Sequence, residues 1–189
     1  DMAPRIANGP DWRLGLAALG ADADASEEER RIGAMQRDWG AFAAAFTPTV
    51  FAPSAPPGVV AGWSARFAAN DPAVMAAFWT SMAQADCRSD VAAYRAATLV
   101  CYGEQSRLFR PQAAHWVAEA AVGGRAVGFP RSGHAPHLEE PDDFNRLISE
   151  FAGTIDAVHP ARRGLTPSTR RAETGATTAG GAPAQQHRD

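Results

Sequence analysis

The residues best suited to chemistry lie together in Ser132-Gly133-His134-Ala135-Pro136-His137-Leu138-Glu139-Glu140-Pro141, just past an apolar run that ends at Phe129. Imidazole is the side chain whose ordinary proton equilibrium falls near neutral pH, so a histidine held on a turn is a candidate for taking up and returning a proton. The alternative reading of an isolated Gly-His is a surface histidine in a capped loop. His137 reads as structural, through packing or a hydrogen bond at a helix entry. Cys87 and Cys101 have neither a second cysteine nor a histidine at metal-ligand spacing. They therefore read as ordinary buried thiols rather than a zinc site or a disulfide framework.

The elements that must carry the Gly-His turn alternate. Thr98-Leu99-Val100-Cys101-Tyr102 is a continuous apolar run closed by Gly103, as expected of a strand buried on both faces of a parallel sheet. A helix is predicted from about Pro111 to Ala121, a second strand over Arg125-Ala126-Val127-Gly128-Phe129, and a last helix from Pro141 to Phe151 that buries Phe144, Leu147, Ile148 and Phe151. Strand, helix, strand, helix is the rhythm of an α/β fold.

The first half reads as helical. After a turn at Asn8-Gly9-Pro10, Ser26 and Glu29 have capping-box spacing, and Ile32, Met35, Trp39, Phe42 and Phe46 predict one amphipathic helix from Glu27 to about Phe46. The Pro-rich piece Pro48 to Pro57 is expected to end it. A short helix around Trp63 and Phe67 follows. Asp71 then caps a helix from Pro72 to about Ala85, with Val74, Met75, Phe78, Trp79 and Met82 on its apolar face.

From Thr98 to Phe151 this order resembles the last two strands and helices of the α/β-hydrolase superfamily. The stretch through Pro141-Asp142-Asp143-Phe144-Asn145 is especially similar to the branch holding esterases and cofactor-free haloperoxidase-like enzymes. Asp1-Met2-Ala3-Pro4-Arg5 is similar to the segment leaving the preceding strand, and the tryptophan-rich helices to about Asp90 look like the family's cap. The resemblance thus covers roughly Asp1 to Gly153. It implies a C-terminal part of an α/β-hydrolase fold: residues 1–10 leaving a sheet strand, 11–92 a helical cap, 93–155 the C-terminal strands and helices, and 156–189 a disordered tail. It also implies a serine hydrolase of small ester or related acyl substrates, without metal or organic cofactor, with His134 as general base and later acid. A non-catalytic protein that binds a small ligand is the alternative.

Two parts of the family's apparatus are missing. The usual acid falls three residues after the strand-ending glycine, and in Gly103-Glu104-Gln105-Ser106 that place holds a serine, which cannot offset the charge an imidazolium gains. Glu104 is expected to face solvent. Asp1 is the substitute acid, or else caps the loop, and Asp86 and Asp90 are more remote candidates. The nucleophile elbow Gly-x-Ser-x-Gly does not occur in these 189 residues; Gly62-Trp63-Ser64-Ala65-Arg66 lacks the second glycine, and Ser64 reads as ordinary. The chain alone is therefore expected to be inactive, and its beginning at Asp1 reads as a cut edge. Among the aromatic residues Trp12 and Trp79 are the expected substrate contacts, with core packing the reading for most.

The formal net charge of −3, with arginines scattered along the chain, argues against nucleic acid as a partner. No apolar run approaches the roughly 20 residues of a membrane span, so no membrane partner is expected and the cytoplasm is the default location. The residues from about Thr166 onward carry almost nothing apolar to bury, which is the composition of disorder. The oligomeric state is left open.

Overall fold

The computed structural model describes residues 2–17 and 25–158. The N-terminal half is a helical layer. Helix α1 (Ala25–Arg37) and helix α2 (Trp39–Val50) are separate, because Asp38 leaves helical geometry (φ −151°, ψ 85°) and its carboxylate accepts a hydrogen bond from Ala41 N. This corrects the expectation of one helix from Glu27 to Phe46. Apolar spacing runs on across Asp38 and hides the break, and Ser26 lies inside α1. Helix α2 ends at Val50, inside the Pro-rich piece expected to end it, with Pro48 in its last turn.

Helix α3 (Pro57–Ala68) is longer than expected, and helix α4 (Pro72–Gln84) starts where Asp71 accepts from Ala73 N and Val74 N. On α4 only Ala76 and Trp79 are buried. Val74 and Phe78 are exposed, against the expected apolar face, since α4 packs only one narrow side against α1. A short helix α5 (Arg88–Ala93) was not expected from sequence.

Strand β1 (Leu99–Gly103), helix α6 (Pro111–Ala120) and strand β2 (Arg125–Phe129) form a parallel crossover unit, with Leu99 opposite Arg125 and Gly103 opposite Phe129. Among the described residues the sheet has these two strands. Only Tyr102 and Gly103 of β1 are buried, so the expectation of burial on both faces is corrected. Cys101 is half-buried, with burial pushing its thiol pKa up, and Cys87 is exposed rather than buried.

A single turn, α7 (Pro136–Glu139), leads into helix α8 (Pro141–Val158), which runs past the expected end at Phe151. Leu147 of α8 is buried while Ile148 is exposed. The rest of the expected tail, from residue 159, lies outside the described residues. No helix among those described is long and apolar enough to cross a membrane.

The core joins both halves. Trp12, Leu16, Met35, Trp39 and Trp79 pack with Leu108, Phe109 and Ala113 in one buried cluster, each large side chain contributing about 1.5–3 kcal/mol on burial. Where the helical layer leaves and rejoins the chain, Arg5 and Asp86 form an antiparallel bridge, and Cys87 N donates to Pro4 O at 2.8 Å.

Candidate functional site

His134 stands on the turn between β2 and α7, and the turn is built by close backbone approach. His134 N donates to Val50 O at 2.7 Å. A Cβ on Gly133 would lie 2.5 Å from Ala52 N and from the Phe51 carbonyl carbon. Glycine is needed there because the end of α2 leaves no room for a side chain. Gly133 does not adopt positive φ, so it is this close approach, not backbone freedom, that calls for glycine.

The loop after β1 closes the other side. Gln105 N donates to Ser132 O at 3.0 Å, and Glu104 N to Phe129 O at 3.0 Å. Ser106, at the position where the sequence resemblance leads one to expect an acid, uses its Oγ to accept from Leu108 N and Phe109 N at 3.4 Å. It therefore shapes the loop that brings the Phe109 ring to 5.9 Å from the His134 ring. Glu104 is exposed, as expected.

Two adjacent glutamates hold the turn, and neither was singled out from sequence. Glu140 is buried; it accepts from Ser132 Oγ at 2.7 Å and Arg131 N at 2.9 Å, and pairs with the Arg131 guanidinium at 3.0 Å. Glu139 accepts from Ala52 N at 2.7 Å and Gly133 N at 2.8 Å. Their only signal was position, between a histidine and a helix-starting proline. Arg107 adds a further tie, its guanidinium donating to the carbonyls of Pro48 and Phe51.

Burial pushes the His134 pKa down to about 4, with the Glu139 charge opposing it. The ring is therefore neutral at pH 7. It lines a cavity of about 630 Å³ whose walls are Phe46, Val50 and Phe51 of the α2 region, Trp63 and Phe67 of α3, Leu99 and Cys101 of β1, and Phe144 and Ile148 of α8. Thr47 and His137 also reach it, but no aspartate, glutamate or arginine among the described residues does. Such a space suits an apolar molecule with one polar group to be met.

The other candidates lie elsewhere. Trp12 is buried in the core, donating from Nε1 to Arg5 O at 2.9 Å, with its ring edge-on to Trp116 at 5.1 Å and the Arg88 guanidinium over its face. It does not line the His134 cavity. Trp79 borders a separate apolar space of about 150 Å³ with Met35, Met75 and Met82, under the Arg31 guanidinium. Phe46 and Phe67 are the wall between the two spaces.

Asp86 is engaged by Arg88, whose hydrogen bonds lower its pKa to about 2, and by Arg5. Asp90 is an exposed residue in the first turn of α5. Asp1 lies outside the described residues. Ser64 is in the interior of α3. Among the described residues no group of three or more His, Cys, Asp or Glu side chains could hold a metal ion.

Residues 2–147 match the sequence profile of the Alpha/beta hydrolase family. Among solved structures, an esterase from Exiguobacterium antarcticum is similar with a TM-score of 0.69 at 18% identity, over 79% of this chain and 54% of the other. A hydrolase from Pseudomonas aeruginosa PA01 gives 0.62 at 26% identity, over 68% and 50%. An enol-lactonase from Burkholderia xenovorans LB400 gives 0.65 at 21% identity, over 80% and 53%. The chain spans about half the length of these structures, and a comparison with curated proteins finds no match. The family match takes in both strands, the His134 turn and the first two turns of α8: the chain belongs to the alpha/beta hydrolase family and carries part of its fold.

Proposed function

We propose that this chain supplies the cap, substrate cavity and general base of a serine hydrolase acting on small, uncharged esters or related acyl compounds. The observation that carries the reading is His134 at the wall of a 630 Å³ cavity to which the described residues contribute no aspartate, glutamate or arginine. An apolar acyl or aryl group is favoured there by burial of roughly 25 cal/mol per Å², whereas a carboxylate would be stripped of water with no arginine among the described lining residues to meet it. Esterase and enol-lactonase relatives support the acyl class.

In this reading a serine on a Gly-x-Ser-x-Gly elbow outside these 189 residues attacks the carbonyl carbon. His134 takes the serine proton and returns it to the leaving alcohol, and water then repeats the exchange to release the acid. Asp1 is the proposed acid partner of the imidazole. Neither metal nor organic cofactor is needed for these steps, and the cytoplasm, a reducing compartment that suits the free thiols Cys87 and Cys101, is the proposed location. The chain alone is expected not to turn over ester.

The test compares p-nitrophenyl butyrate with p-nitrophenyl hemisuccinate on the product of the longest open frame containing this chain. Hydrolysis of the neutral ester at least tenfold faster supports the reading; preference for the charged ester contradicts it. A second reading, a non-catalytic binder of small apolar ligands, is favoured by Ser106, whose Oγ is committed to the loop amides where the family's acid would stand. Saturable ligand binding without turnover would select it.

A further inference from the structure

We propose that Glu139 is a positioning residue for His134, its carboxylate clamping the histidine turn to the end of α2. The two oxygens divide the work. Oε1 accepts from Ala52 N at 2.7 Å, on the far side of the interface, and Oε2 accepts from Gly133 N at 2.8 Å and more weakly from Ala135 N at 3.4 Å. Gly133 and Ala135 flank His134 in sequence, so the carboxylate grips the turn on both sides of the imidazole. Hydrogen bonds to an ionised acceptor are roughly twice as strong as neutral ones, and backbone donors cannot rotate away as side chains do.

The neighbouring bonds show why this clamp sets position rather than merely filling space. His134 N reaches Val50 O only if residues 50–52 and 133–135 stay side by side. The adjacent Glu140 faces Ser132 and Arg131 and cannot substitute. The inferred consequence is that displacement of the α2 end, which also walls the cavity through Val50 and Phe51, moves His134 with it. What this does to catalysis rests on the proposed role of His134; the clamp itself does not.

The experiment is amide hydrogen exchange and an imidazole NMR titration on the product of the longest open frame containing this chain and on its Glu139→Gln variant. Glutamine keeps one acceptor oxygen and turns an NH2 donor toward an N–H, so one side of the clamp is lost. The expected result is exchange at the His134 amide about tenfold or more faster, with β1 and β2 amides unchanged. The His134 titration midpoint is expected to move up toward the ordinary histidine value as the turn takes on water. A midpoint that stays or falls further, as removal of a nearby negative charge alone would produce, overturns the proposal. So does loss of β1 and β2 protection in both Glu139→Gln and the milder Glu139→Asp. Neither readout uses ester hydrolysis, so failure of the hydrolase reading is seen separately.

Discussion

The main-chain N–H of His134 donates to the carbonyl of Val50 at 2.7 Å, across 84 residues of sequence, and so the turn that holds the imidazole is fastened to the helical layer rather than only to its own strand. The contact is close enough to exclude a side chain at Gly133.

Gly133→Ala should therefore destabilise the chain by about 1–3 kcal/mol, the usual cost of overpacking, because backbone atoms of Phe51 and Ala52 would have to shift. Gly153→Ala is the contrast: nothing lies within 4 Å of its added methyl in α8, and alanine in a helix interior gains about 1 kcal/mol over glycine. Urea denaturation of the two variants should move the midpoint in opposite directions.

Burial of neutral His134 gives a pH signature. Its folded pKa, about 4, lies below its ordinary 6.5, so between those values the unfolded chain binds the proton first and stability falls as pH is lowered. Each unit of depression corresponds to about 1.4 kcal/mol. The stability difference between wild type and His134→Asn should change steadily from pH 7 to 4 and level off below; a difference independent of pH would contradict burial of the ring.

Arg88 holds Asp86 at 2.6 Å and Asp11 at 2.8 Å and lies over Trp12, at the place where the helical layer joins the rest of the chain. Asp86 has its carboxyl held near 2, below the usual 3.8, first by its hydrogen bond to Arg88. The stabilisation is present above pH 3.8 and lost as pH falls through 2. Arg88→Ala should lower the Tm at pH 7, less so in 1 M salt where exposed charges are screened, and the two Tm values should draw together near pH 2.

Trp63 lines the cavity from α3 yet is partly exposed. In an active, completed hydrolase, Trp63→Ala should raise KM for p-nitrophenyl butyrate by about tenfold relative to acetate, since a methylene or two in an apolar pocket is worth about 1–3 kcal/mol. Equal effects on both esters would place the acyl chain elsewhere.

Local signals made much of the fold legible. Arg125–Phe129 is the strand its residues predict, and Asp71-Pro72 marks the start of α4. What was hidden depends on distant partners. Asp38 breaks a helix whose apolar rhythm continues through Trp39, Phe42 and Phe46, because those three rings stack in series and Trp39 and Phe46 meet Phe67 in tilted contacts. Val74 and Phe78 follow helical spacing yet stay exposed. The turn that carries His134 after β2 was legible from its flanks, while Glu139 was not: its partner Ala52 lies 87 residues away, and no spacing rule reaches that far.

The most direct measurement is kcat/KM for p-nitrophenyl butyrate of the completed open-frame product and of its His134→Ala variant, both checked for fold by circular dichroism. The account predicts a loss of about a thousandfold or more, as expected when the base of a serine triad is removed. Activity within tenfold of wild type in a folded His134→Ala protein would contradict His134 as the base.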